Sequence, residues 1–327
     1  MKLARPDIFH PRIVLAGCPK LVAGDGDDDG LVQALASRGL QARWLSWDDP
    51  QALESDLVIL RATWDYIERL DDFLAWTDRV PNLLNAPDVV RWNTEKTYLE
   101  DLAVAGVPVL ESEFFAPGEI VHLPAGEVVV KPAVGAGSVG AQRFTDHSAA
   151  RDHAATLQDS GATAMVQPYD KRVEAGETAL VFLGGRQSHA FTKGPMLPPP
   201  GNTPVFDESG TYAEESLSSA EPDFALWDVG YAALAAAAEH LGHAPEEFLY
   251  ARVDLLGGLG STDGDPLLLE LELVEPSLGW RQLGSVERRA AQRQFALSVE
   301  SALDRLGLGP LSRRPLMRRP LSRRPLP

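Results

Sequence analysis

The stretch "LLLELELVEPSL", residues 267–278, has the apolar density of a buried strand and yet carries Glu270, Glu272 and Glu275. Side chains alternate along a strand, so Glu270 and Glu272 share one face while Leu269, Leu271 and Leu273 take the other. Two carboxylates side by side repel, and left alone one of them takes up a proton. Two readings accommodate them: a solvated edge-strand face, or a divalent cation, which needs oxygen ligands converging from rigid backbone. A second reactive pattern lies upstream. Lys131 closes the apolar run "VVV" just before Pro132, and Gly135, Gly137 and Gly140 follow as G-x-G-x-x-G. A lysine ending a strand beside a glycine flap can hold one phosphate while flap amides, among them Gly137 and Ser138, cover others. Lys96 is a second phosphate candidate.

The glycine pattern alone also fits a plain hairpin. A dinucleotide fold requires a helix to open directly after the loop, with its N-terminus on the pyrophosphate. Here "AQRF" follows, which reads as a strand. Neither the catalytic loop and Asp-Phe-Gly of a protein kinase nor a Walker pattern is present.

The elements that must position these groups are legible in the apolar patterning. "RIVLAG", "LQARWLSW" and "DLVILR" predict apolar strands, with helices over "DGDDDGLVQALASRG" and "DDFLAWTDRV"; together they predict an α/β lobe with a mainly parallel sheet. The acids Asp25, Asp27, Asp28 and Asp29 lack the spacing of a calcium loop and read as helix N-terminal charge and capping. "NTEKTYLEDLAVAGVPV" predicts one helix, capped by Asn93 or Thr94 and ended at Gly106. "GEVVVKPAVGAGSVGAQRF" predicts strand, loop, strand; "TAMVQPYD" a further strand; "ETALVFLGGRQSHAF" a hairpin turning at Gly184 and Gly185. An alanine-rich helix follows in "LWDVGYAALAAAAEHLG". Two strands round a Gly/Asp turn then set Arg252 and Asp254 across from the Glu270 strand, unless those two form only a surface ion pair. "VERRAAQRQFALSVESALDRLG" predicts a closing helix.

Bulk properties bound the partners. The 327 residues suffice for two or three lobes. The net charge is −17, and −23 without the six arginines of 311–327. So acidic a body argues against nucleic-acid and anionic-membrane binding. Cys18 is the only cysteine, which excludes an internal disulfide and fits a reducing cytosol. No apolar run approaches the roughly 18 residues of a membrane span. The first twenty residues lack a long apolar stretch with a small-residue cleavage site, so a cytoplasmic protein is expected. The segment from Pro310 repeats "RRPLM", "RRPLS", "RRPLP"; without an apolar stripe, disorder is expected there.

"NTEKTYLEDLAVAGVPV", "EVVVKP" with its glycine loop, "MVQPYD…GET", "YARVD" and "LLLELELVEPSL" occur in the order and spacing of the ATP-grasp superfamily, over roughly residues 85–300. "WDDP", "VILRATWDYIERLDDFLAW" and "LNAPDVVRWNTEKTYL" resemble one branch, the cycloserine synthetase type of antibiotic pathways. The resemblance implies an α/β protein with an ATP-grasp fold and a parallel α/β pre-ATP-grasp domain. The expected segments are an N-terminal domain 1–92, a central lobe 93–167 with the glycine flap, a C-terminal lobe 168–308 with the metal site, and a tail 309–327. It implies ATP and Mg²⁺ (or Mn²⁺) as cofactors, a small amino-acid substrate and, by analogy alone, a homodimer.

Residue roles follow from the same resemblance. Lys96 and Lys131 would hold nucleotide phosphates, Gln167, Pro168, Tyr169 and Asp170 the adenine, and Glu177 the ribose hydroxyls. Lys193 and Arg252 would steady the transferred phosphate, and Asp254, Glu270 and Glu272 would be magnesium ligands; many relatives carry Asn where this chain has Glu272. Arg61, Trp64, Asp65 and Tyr66 would help bind the amino acid, unless they serve packing. Ser277 follows where relatives touch substrate, and Glu275 either reads an amine there or lies at a strand end. The implied activity is carboxylate activation through an acyl phosphate, followed by nitrogen attack within the same molecule. An intermolecular ligase and a catalytically dead nucleotide-binding regulator are the alternatives.

Overall fold

The computed structural model describes residues 10–200, 202, 216–257 and 264–309. The arginine-proline segment expected to be disordered lies outside the described residues from 310 onward.

The N-terminal lobe is built from β1 (Arg12–Gly17), α1 (Leu31–Ser37), β2 (Gln41–Ser46), β3 (Leu57–Ala62), α2 (Leu70–Thr77), β4 (Leu83–Leu84) and α3 (Pro87–Asn93). Its four strands run parallel in the order β2-β1-β3-β4. All six residues of β3 are buried, which is why Leu57, Val58, Ile59 and Leu60 read as a continuous apolar run rather than an alternating one.

The central lobe comprises α4 (Tyr98–Val104), β5 (Glu113–Phe115), β6 (Val128–Pro132), β7 (Gln142–Phe144), α5 (His147–Asp159) and β8 (Ala164–Pro168). These strands form an antiparallel sheet, β5-β8-β6-β7. The predicted single helix over "NTEKTYLEDLAVAG" is two helices with a turn at residues 94–97 between them. Neither expected cap acts as one. Thr94 returns its hydroxyl to the Arg91 carbonyl, and the Asn93 side chain goes to another lobe, as described below.

The third lobe holds β9 (Glu177–Leu183), β10 (Arg186–Lys193), β11 (Leu217–Ser219), α6 (Phe224–Leu241), β12 (Tyr250–Leu256), β13 (Leu267–Glu272) and α7 (Ser285–Arg305). Its sheet is antiparallel, β11-β10-β9-β12-β13. Gly184 and Gly185, with φ of 58° and 71°, close the β9–β10 hairpin in the left-handed conformation that a two-residue turn demands. Helix α6 lies on one face, where Gly230 lets it approach Leu180 and Phe182. Helix α7 covers the other face, and its Phe295, Val299 and Leu303 join Ile13, Leu15 and Ile59 of the parallel sheet in one core. The two sheets are therefore tied through α7, and the Tyr250 hydroxyl reinforces the tie by donating to the Leu60 carbonyl at 2.6 Å.

Candidate functional site

Strands β12 and β13 pair with Arg252 opposite Glu272 and Asp254 opposite Glu270. Directly opposed residues of an antiparallel pair share a face; Arg252, Glu270 and Glu272 line a cleft of about 710 Å³ between the lobes, and Asp254 lies fully buried beneath them. Past Asp254 the register shifts, so that Leu255 faces Leu268. This bulge changes the alternation: Leu268 and Leu271 both enter the core, while Leu269, expected on the apolar face, lines the cleft.

The floor carries a network of opposite charges. Arg252 clasps Asp254 with two hydrogen bonds of 2.9 Å, reaches Glu272 with the same guanidinium, and donates to the Ser277 carbonyl at 3.1 Å. Lys193 lies 2.7 Å from Asp254 and 3.0 Å from Glu177. Across the cleft Lys131, on β6, donates to Glu270 at 2.6 Å. Lys96 sits in the turn before α4, where its amide bonds the Ala133 carbonyl and its ammonium the Gly135 carbonyl at 2.8 Å. It thereby holds the root of the glycine flap. Within that flap Gly137 and Ser138 take φ of 58° and 62°, an unusual conformation for a serine.

These neighbours set the protonation of the acids. Burial works to raise the Glu270 pKa, but Lys131, Lys96 and Lys193 outweigh it and hold the carboxyl well below its usual range. Asp254 is likewise lowered against burial, by Arg252 and Lys193. Glu272 is raised, because burial outweighs an arginine that it shares with Asp254. Burial also raises Glu177 despite Lys193. Glu275 is pushed up to about 8, by burial first and then by Glu272.

The hinge side is equally ordered. Gln167, Pro168, Tyr169 and Asp170 line the cleft where β8 leaves the central sheet. Gln167 donates to Ser112 at 2.9 Å, the Tyr169 amide bonds the Glu127 carbonyl, and Asp170 accepts from the Arg172 amide at 2.9 Å. The Arg143 guanidinium lies over the Tyr169 ring, 3.5 Å from its centre. Sequence reasoning missed Arg143, and no motif marks it.

Not every expected residue reaches the cleft. Trp64, Tyr66, Glu275 and Ser277 line it, whereas Arg61 and Asp65 stand behind it, and so does Asp254, one of the expected magnesium ligands, which is fully buried on Arg252 and Lys193. Arg61 is buried, pairs with Asp28 through bonds of 3.0 and 3.1 Å, and donates to the Pro276 carbonyl at 3.1 Å. Asp65 accepts from the Trp47 indole at 2.8 Å. Arg61 and Asp65 brace the wall rather than face the space. Arg61 also explains the acid cluster, which does not cap α1: Gly30 is the cap residue, and the first turn holds no acid. Instead Asp28 takes Arg61 and the Trp280 indole, and Asp27 accepts from the Ser277 hydroxyl and the Arg281 amide. The cluster is a socket for the segment after β13. Asn93 clamps β13 itself, donating to the Leu271 carbonyl at 2.8 Å and accepting from the Leu273 amide at 2.7 Å.

Among the described residues no three acidic, histidine or cysteine side chains converge as a metal cage. The donor set nonetheless suits Mg²⁺, which takes one or two carboxylates and fills its octahedron with phosphate oxygens and water. Glu270 and Glu272 offer hard oxygens at the cleft, opposite two lysines suited to phosphates, and Asp254 lies behind them, bonded to Arg252 and Lys193.

A family model for the N-terminal domain of D-cycloserine synthetase DcsG matches residues 13–85. The cycloserine biosynthesis protein DcsG of Streptomyces lavendulae is 37% identical over 272 residues, which cover 78% of this chain and 88% of that protein. The crystal structure of D-cycloserine synthetase DcsG superposes with a TM-score of 0.76 at 32% identity, over 88% of this chain and 98% of that one. This chain belongs to the D-cycloserine synthetase family of ATP-grasp ligases. The fold extends further: D-alanine–D-alanine ligase from Bacillus anthracis, solved with ATP, matches with a TM-score of 0.57 at 13% identity, over 91% of this chain and 98% of that one. At that identity the likeness speaks for the fold alone. No helix among the described residues is long and apolar enough to cross a membrane.

Proposed function

We propose that the chain closes an O-ureido-serine-like amino acid into a cyclic amide at the expense of ATP. The observation that carries this reading is the facing of Lys131 and Lys96 against a β12–β13 floor of Arg252, Asp254, Glu270 and Glu272, within a fold shared with DcsG. Two lysines and a glycine flap on one side suit the phosphates, and carboxylates on the other suit the ion that accompanies them.

In this reading ATP lies along the cleft with its adenine at Gln167–Asp170, its ribose at Glu177 and its phosphates towards Lys96, Lys131, Gly137 and Ser138. Glu270 and Glu272 hold Mg²⁺, or Mn²⁺ in its place, which supplies charge neutralisation at the phosphates. The substrate carboxylate attacks the γ-phosphorus and ADP leaves, giving an acyl phosphate. Arg252 and Lys193 offset the charge that develops on the transferred group. The side-chain nitrogen then adds to the acyl carbon, its proton is lost and inorganic phosphate departs. The carbamoyl group is released with a water as carbon dioxide and ammonia. An internal nitrogen reacts at an effective concentration on the order of 10⁵ M or more when well oriented, so no second amine is needed. The lobe boundaries near 93 and 168 and a cytoplasmic, dimeric enzyme belong to the same proposal.

The test is ADP formation with O-ureido-D-serine as the only added amino acid, followed by mass spectrometry. A product lighter than the substrate is expected. ADP that appears only when a second amine is added, with a product heavier than either substrate, replaces the cyclase by an intermolecular ligase.

A further inference from the structure

Six acidic side chains line the cleft, and five have a cationic partner. Asp25 lies 2.7 Å from Arg281, Asp170 2.6 Å from Arg172, Glu177 3.0 Å from Lys193, Glu270 2.6 Å from Lys131, and Glu272 pairs with Arg252. The sixth is Glu275. It is only 8% exposed, faces the same space, and among the described residues its carboxylate has neither a hydrogen bond nor an ion pair.

Its backbone is fixed from three directions. The Trp64 indole donates to the Glu275 carbonyl at 3.3 Å, Arg61 to the Pro276 carbonyl at 3.1 Å, and Arg252 to the Ser277 carbonyl at 3.1 Å. These bonds fix the backbone from which the carboxylate projects into the cleft. The arginines that brace it are engaged elsewhere, Arg61 with Asp28 and Arg252 with Asp254 and Glu272. A buried carboxylate without a paired cation is costly: burial first and then Glu272 push its pKa up to about 8 against Lys96, Arg252 and Arg61, so without a ligand it keeps its proton at neutral pH. A ligand that brings a cation removes that cost. Trp64 and Tyr66 line the same end of the cleft, and aromatic faces suit an ammonium.

We propose that Glu275, with Trp64 and Tyr66 beside it, is the receptor for the α-ammonium group of the substrate. The inference rests on the reading of the cleft as an amino-acid-activating site and adds the orientation of the amino acid. An α-amine held against a carboxylate keeps its proton and is no nucleophile. The nitrogen that attacks the acyl phosphate then comes from the far end of the molecule.

The experiment compares wild type with Glu275→Gln, which keeps the shape and removes the charge, on O-ureido-D-serine and on the analogue with hydrogen in place of the α-amine. Thermal melts and Mg²⁺-ATP affinity establish that the variant is folded and loaded. Wild type should prefer the amino acid, and Glu275→Gln should lose about 30-fold or more in kcat/KM on it, mainly through KM. The deamino analogue should be handled alike by both proteins. Equal losses on both substrates, or no loss on either, overturn the ammonium site. Calorimetric titration of D-serine into protein loaded with a non-hydrolysable ATP analogue separates the two proposals. Binding that Glu275→Gln abolishes, in a chain that releases no ADP, keeps the site and ends the cyclase reading. Binding and turnover that ignore the substitution, or a wild type that binds no amino acid, end the site.

Discussion

Lys131 and Glu270 meet at 2.6 Å across the cleft, so each is held in place for a ligand by the other's charge. Replacing Lys131 by Ala should weaken Mg²⁺-ATP binding by at least tenfold, since the loss of a buried charge-assisted contact typically costs about 2–5 kcal/mol. Glu270→Ala should mainly abolish turnover. Equilibrium nucleotide titration beside steady-state ADP release separates the two effects, and an ATP affinity within twofold of wild type for Lys131→Ala would place that lysine outside the nucleotide site. Glu275 makes a different prediction. Its folded pKa of about 8 lies above its ordinary value of 4.5, so between those values the native state keeps a proton that the unfolded chain has lost. Stability therefore falls as pH rises from about 5 to 8. The charges that act most on the carboxyl are Glu272 on β13, which raises its pKa, and Lys96 before α4, Arg252 on β12 and Arg61 on β3, which lower it. Glu275→Gln carries no such proton, and by pH 8 it should be more stable than wild type by about 2–4 kcal/mol. Urea midpoints of the ligand-free proteins at pH 5 and 8 test this; a gap independent of pH refutes it.

At the scale of elements, the placement of β13 decides the site, because Glu270 and Glu272 are useful only at a fixed distance from β6. Asn93 fixes it from α3, holding both a donor and an acceptor of the strand's backbone. Tyr98 adds a third bond by accepting from the Leu271 amide at 3.0 Å. Asn93→Ala leaves a buried amide and a buried carbonyl without partners, and should cost about 2–4 kcal/mol. It should also lower kcat, although Asn93 reaches the strand's backbone rather than its carboxylates. Chemical denaturation and single-turnover ADP formation measure the two effects. A variant with normal stability would show that the backbone of β13 finds other partners.

For the molecule as a whole, the central sheet carries Lys131 and the flap, while the third sheet carries the carboxylates. A nucleotide that bridges them stabilises the native state by linkage. Mg²⁺-ATP at about 100 times its dissociation constant should therefore stabilise the protein by about 2.7 kcal/mol, read as a higher thermal midpoint. ATP with a chelator should give much less, because in the proposed pose Glu270 and Glu272 then meet the phosphates without an intervening ion. Stabilisation by NAD but not by ATP would contradict the nucleotide assignment.

The apolar runs of β1, β3, β6, β9 and β12 and the alanine-rich α6 were readable from residue pattern alone, because local periodicity and glycine turns determine such elements. The shared face of Glu270 and Glu272 was readable for the same reason: strand alternation is a local property. Three features were not. Asp27 and Asp28 look like capping residues, but their partners Arg61, Ser277, Trp280 and Arg281 lie far away in sequence. Asn93 looks like a helix cap, and only the approach of β13 turns it into a clamp. The bulge that moves Leu269 into the cleft arises from pairing with β12, which single-strand periodicity cannot contain. Composition and pattern thus determined which groups could do chemistry. Only the packing of three sheets decided that Arg61 and Asp65 stand behind the wall, and that Glu275 alone among the six acids lining the cleft lacks a protein partner among the described residues. Countercharge is a property of neighbours in space, and sequence order does not carry it.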